Sequence, residues 1–134
     1  MSVATLPTIT ILATAVLAVG AACLAIWVIV QRVRLKVEWG DGGNPDMAQA
    51  VRAHANFSEH VPMALLAIGA NEVAGASRPL VIGMAASLIA ARAISAYGLT
   101  RSLGPSLARQ AGASITLAVM IVAGVTALLH AVRL

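Results

Sequence analysis

Four stretches of this chain, Pro7 to Val30, Met47 to Val73, Pro79 to Tyr97 and Leu107 to Ala131, are each largely apolar. Each is near or above the roughly 20 residues a helix needs to cross a hydrocarbon core of about 30 Å. In lipid the backbone must satisfy its own hydrogen bonds, which leaves only helices or a closed barrel. A barrel would alternate apolar and polar residues over strands of about 10 residues, and that alternation is missing. The expected fold is therefore all-α and integral to the membrane: a four-transmembrane-helix bundle, one domain over 1–134. A chain that is 60% hydrophobic and 10% charged, with a mean hydropathy of +0.90, lies outside the soluble globular range.

The net charge of +4 would suggest a nucleic-acid partner in a soluble protein. Here topology accounts for it, and no nucleic-acid partner is expected. With four spans, the first and third links share one side, which holds Arg32, Arg34, Lys36, Arg101 and Arg109; the other side has Arg78 and Arg133. The excess of basic residues places the first and third links in the cytoplasm and both termini outside it. "AVGAAC" before Cys23 looks faintly like a lipoprotein cleavage site, but a basic n-region is lacking and Gly20 stands where an aliphatic residue is wanted. The first segment is read as a span. Cys23, the one cysteine, is expected to be a small buried packing residue.

The first link contains Gly-Asp-Gly-Gly-Asn-Pro, a turn-forming cluster, after which Asp46 is expected to cap a helix starting at Met47. "AGASR" followed by Pro79, and "TRSLGPS", are tight, so consecutive helices run antiparallel. Alanine and glycine recur every three or four residues, as in "GMAASLIAARAISA", which permits close helix contact.

The stretch "VRAHANFSEHVPMALLAIGANEV", from Val51 to Val73, puts strongly polar residues inside apolar sequence. At about 100° per residue Arg52, Asn56 and Glu59 fall within roughly 60° of one another, a stripe about 10 Å long. His60 flanks it and His54 points elsewhere. Facing lipid, such a stripe would cost several kcal/mol, so it must face protein or a water-filled cavity. Antiparallel spans bring further groups to the same inner layer: Arg32 at the end of the first helix, Arg92 and Tyr97 toward the inner end of the third, and Arg109 at the start of the fourth. Two readings stand. In one, Glu59 neutralises Arg52 or Arg92 as an interhelical tie while Arg32 and Arg109 reach lipid headgroups. In the other, four arginines facing one glutamate form a layer that takes up a small anionic ligand, for which the guanidinium fork is well suited. Asn71 and Glu72, near the outer end of the second segment, are expected to be interfacial caps. A P-loop, a dinucleotide fingerprint, a serine elbow and paired metal ligands are all missing from the sequence, so a metal site is not expected.

"RAHANFSEHVPMALL" resembles the second-helix signature of the MAPEG family, the membrane-associated proteins in eicosanoid and glutathione metabolism. Its pattern is Arg-Ala-x-x-Asn-x-x-Glu followed by an aromatic or similar residue and often Pro. Arg52, Ala53, Asn56, Glu59 and Pro62 fit, and His60 stands where many members have Tyr. The resemblance extends over essentially the whole chain and includes Arg32, twenty positions before Arg52. It implies a bacterial inner-membrane homotrimer that binds glutathione as co-substrate at subunit interfaces. Carried over residue by residue, it implies that Arg32, Arg52, Asn56, Glu59, His60, Arg92 and Tyr97 hold the tripeptide. Arg109 would be the catalytic group beside the thiol, and the second partner a lipophilic small-molecule electrophile arriving through membrane lipid. Ala55 stands where prostaglandin synthase-like members have Arg, and Gln110 where they have Ser, which argues against an eicosanoid substrate. The function expected is a membrane-bound glutathione transferase or peroxidase. The alternatives are a non-catalytic glutathione- or lipid-binding member of the same fold, and a small transporter or structural subunit with Glu59 as coupling group. A small drug-proton exchanger would want a carboxylate in its first helix, which Pro7 to Val30 lacks.

Overall fold

The computed structural model describes residues 6–101 and 106–133, without the side chains of Arg101 and Arg133. Four helices follow one another: α1 Thr8–Leu35, α2 Pro45–Val73, α3 Arg78–Arg101 and α4 Leu107–Arg133. Most of the third link, including Pro105, lies outside the described residues, as do the side chains of Arg101 and Arg133 used in the charge count above. The protein is a four-helix integral membrane bundle. α1, α3 and α4 are long and apolar enough to cross a membrane by themselves. α2 is the polar member, because Asp46, Arg52, Glu59 and two histidines interrupt its apolar face.

α2 packs against the three other helices, whereas among the described residues the backbones of α1 and α4 do not come together. The core lies where α2, α3 and α4 converge, around Phe57, Val61, Ile68, Met84, Leu88 and Val119. α1 is peripheral: among its residues only Ala13 and Leu17 are buried, and Leu12, Val16, Val19 and Ile26 point outward as lipid-facing side chains do. Cys23 is exposed on this helix, contrary to the expectation of a buried packing residue. α1 meets α2 and α3 along one narrow stripe, and Cys23 is off it.

The helix ends differ from expectation at two places. Asn44, not Asp46, caps α2: its Oδ1 accepts from the backbone N–H of Asp46 at 2.9 Å and of Met47 at 3.2 Å. Pro45 then occupies the first helical turn, where its missing N–H is no loss and its fixed φ suits the helix. Asn71 is fully buried rather than interfacial, its Nδ2 donating to Ala67 O and across to Ala123 O on α4, both at 2.8 Å. Glu72 does act as a cap, but for another helix. Its carboxylate accepts from the N–H of Ile9 at 2.9 Å, the N–H of Thr10 at 2.8 Å and the Thr10 hydroxyl at 2.7 Å. The free N–H groups and the positive end of the α1 dipole are met by α2.

Candidate functional site

The polar half of α2 faces a cleft of about 240 Å³ between α2, α3 and α4. Arg52 and Asn56 line it from α2, Ser95 and Leu99 from α3, and Ser106, Arg109 and Gln110 from α4. Two glycines set this geometry by letting α3 and α4 approach closely. A Cβ on Gly98 would lie 2.8 Å from the Arg109 backbone nitrogen and 3.0 Å from Ala108 Cβ. A Cβ on Gly112 would lie 2.7 Å from Ala91 O and 2.8 Å from Ser95 N, and would overlap the Ser95 hydroxyl. The beginning of α4 is thereby held over the C-terminal half of α3, and Arg109 stands across the cleft from the α2 stripe. The Ser106 hydroxyl accepts from the Arg109 N–H at 3.3 Å, fixing the first turn of α4. Gln49, one turn before Arg52, donates to Leu99 O and ties α2 to the C-terminal end of α3.

Of the eight residues singled out in the sequence, the structure brings Arg52, Asn56 and Arg109 to one cleft. Glu59 lies beside it, its Oε1 3.5 Å from Arg52 Nη1, with both side chains about half exposed (59% and 49%). Of the two partners open to Glu59, the structure selects Arg52. His60 stays on the flank of the stripe and its ring Nδ1 meets Asn56 O at 2.8 Å, which calls for a proton on that nitrogen. Tyr97 is not among the residues that line the cleft and is 61% exposed. Arg32 sits apart from the cleft and organises the first link, donating to Glu38 O at 3.1 Å and Gly40 O at 3.2 Å.

Arg92 lies beneath the cleft rather than in its wall. It is only 3% exposed. Its Nη1 donates to Asn56 Oδ1 at 3.0 Å and Asn56 O at 3.4 Å, and its Nη2 to the Ser95 hydroxyl at 3.0 Å and Gly112 O at 3.4 Å. One guanidinium thus joins three helices. Among the described residues it meets no carboxylate, and its Nε has no partner. Sequence reasoning singled out Arg92, which the structure brings to Asn56 and Gly112, but missed Ser95, Gly98 and Gly112, which look like ordinary small residues in alanine-rich helices.

A larger recess of about 850 Å³ runs between α1 and the C-terminal half of α2, lined almost wholly by apolar side chains from Pro7 to Ala21 and from Phe57 to Val73. It contains none of the charged residues.

Comparison with known proteins agrees with the motif. The model of the MAPEG family matches residues 10–129. The chain is 32% identical over 72 residues to inner membrane protein YecN of Escherichia coli strain K12, and equally to YecN of Escherichia coli O6:H1. Each match covers 54% of this chain and 55% of the relative, so the chain spans about half the length of the curated relatives it matches. No solved structure matches.

Proposed function

This chain belongs to the MAPEG family, and from that membership and the arginine-bearing cleft we propose that it binds glutathione and activates its thiol against a lipophilic electrophile. The observation that carries the proposal is the convergence of Arg52 and Asn56 from α2 with Arg109 from α4 on one cleft. Arg52 and Asn56 supply donors for carboxylate groups of the tripeptide, and Glu59, beside Arg52, supplies a partner for its α-amino group. Arg109 would lie by the sulfur. A free thiol has a pKa near 8.5, so only a few per cent is thiolate at neutral pH; a guanidinium within hydrogen-bonding distance raises that fraction. The apolar surroundings let an electrophile dissolved in the bilayer reach a water-soluble thiol at the same depth.

The functional unit in this reading is a homotrimer in a bacterial inner membrane, with the first and third links cytoplasmic. A cleft of 240 Å³ is smaller than the roughly 300–1,000 Å³ usual for ligand sites, and the half-exposed Arg52 and Glu59 need cover in lipid. A neighbouring subunit provides both. Native mass spectrometry from detergent is expected to release trimers; a uniform monomer or dimer would count against the assembly.

Calorimetry on the purified protein should show glutathione binding, and Arg52→Ala or Glu59→Ala should each weaken it by about 1.5–3 kcal/mol, because each removes a charge-assisted hydrogen bond to the tripeptide. Unchanged affinity in both variants would remove the α2 stripe from the site. Conjugation to an aryl halide and reduction of a hydroperoxide test turnover directly; consumption of neither would leave a glutathione-binding protein without chemistry.

A further inference from the structure

We propose that Arg92 is a positioning residue that fixes which end of the Asn56 amide faces the cleft, and so makes the cleft select a group that only accepts hydrogen bonds, a carboxylate. The ligand in this statement rests on the glutathione reading above, while the geometry stands without it. A primary amide has one accepting and one donating end of nearly equal size, and turning it over costs little in itself. Beneath Asn56 lies a guanidinium that is 3% exposed, and a guanidinium carries donors only. The amide can meet it through Oδ1 alone, as it does at 3.0 Å. The reverse orientation would set two donors against each other in a buried space. Nδ2 is therefore left for the cleft that Asn56 lines.

The Ser95 hydroxyl is treated the same way: its oxygen accepts from Arg92 at 3.0 Å, which leaves its proton to be donated, and Ser95 also lines the cleft. Arg92 thus presents the donor end of the Asn56 amide to the cleft and leaves the Ser95 proton to be donated, without touching a ligand. The two act together with the Arg52 guanidinium. Arg92 also meets no carboxylate among the described residues, so an anion one amide away in the cleft supplies charge compensation that those residues do not.

Three variants test this in the full-length protein in detergent. Asn56→Asp gives Arg92 a carboxylate but replaces the cleft donor by an acceptor. It should keep or raise the thermal midpoint while weakening glutathione binding roughly 10- to 100-fold. Arg92→Lys keeps a donor-only group under the amide and should stay within a few-fold of the wild-type affinity, whereas Arg92→Gln, which can donate and accept, should lose about as much as Asn56→Asp. The chain has three asparagines, Asn44, Asn56 and Asn71, so selective ¹⁵N-asparagine labelling gives few side-chain amide signals, and the pair absent from Asn56→Asp belongs to Asn56. That pair should be single in the wild type and Arg92→Lys, and doubled or exchange-broadened in Arg92→Gln. Equal affinities in all variants, or Arg92→Lys falling as far as Arg92→Gln, would overturn the proposal. If the wild type binds no glutathione, the functional reading fails, and the amide spectrum alone decides: an Asn56 pair unaltered in Arg92→Gln removes the positioning role.

Discussion

Arg109→Ala is expected to keep much of the glutathione affinity and to lose roughly 30- to 1,000-fold in conjugation rate, the equivalent of about 2–4 kcal/mol of transition-state stabilisation. The two effects separate because the groups come from different helices. Arg52, Asn56 and Glu59 belong to α2, where the proposed reading has them address the charged ends of the tripeptide, whereas Arg109 is on the first turn of α4. Removing a group that acts on sulfur leaves ground-state binding largely in place and takes away a charge-assisted hydrogen bond to the thiolate. A bound thiolate absorbs in the near ultraviolet. The wild type should show that band on adding glutathione at neutral pH, and Arg109→Ala only at higher pH. Identical titrations of the two proteins would deprive Arg109 of the role. If neither shows the band and no electrophile is consumed, the protein binds glutathione without activating it.

Gly112→Ala is expected to cause the largest loss of stability from a single added methyl group. The new Cβ would lie 2.7 Å from Ala91 O and 2.8 Å from Ser95 N, both backbone atoms of α3. Neither can rotate aside, so the helices must separate, which costs typically about 1–3 kcal/mol for overpacking. The separation also lengthens the 3.4 Å contact from Arg92 to Gly112 O and disturbs Ser95, loosening the guanidinium that joins α2, α3 and α4. Together these amount to roughly 3–5 kcal/mol, in the range of breaking a buried charged network. Gly124 on the same helix is the control. A Cβ there meets nothing within 4 Å, so Gly124→Ala should leave the thermal midpoint unchanged or slightly raised. Equal behaviour of the two variants on heating in detergent would show that the α3–α4 crossing does not depend on Gly112.

What the sequence determined by itself follows from rules that act along a single segment. Apolar length makes spans, short links make antiparallel neighbours, and helical periodicity puts Arg52, Asn56 and Glu59 on one face. The family signature sits on that same face, so the membership was legible in "RAHANFSEHVPMALL" before any packing was known. Local chemistry was less decisive at the ends. Asn44 and Asp46 are both good caps, and Pro45 between them favours the earlier one.

Distances between helices were decided only by the tertiary structure, because they depend on which small residues face each other. Gly98 and Gly112 matter through Ala108, Arg109 and Ser95 on the opposing helix, and nothing in the α3 or α4 sequence alone pairs them. The same holds for charge. Periodicity left Glu59 a choice between Arg52 and Arg92, and packing gave it Arg52 while burying Arg92 among neutral acceptors under the cleft. Glu72 shows the same division: its position near a helix end was readable, but the helix it caps is α1, 62 residues earlier, met only because the chain folds back antiparallel. Sequence thus determined where each group falls along its own helix, since that position is counted within one segment. The tertiary structure settled which of them meet, since a meeting depends on helix rotation and close approach, and those are set by side chains of other helices.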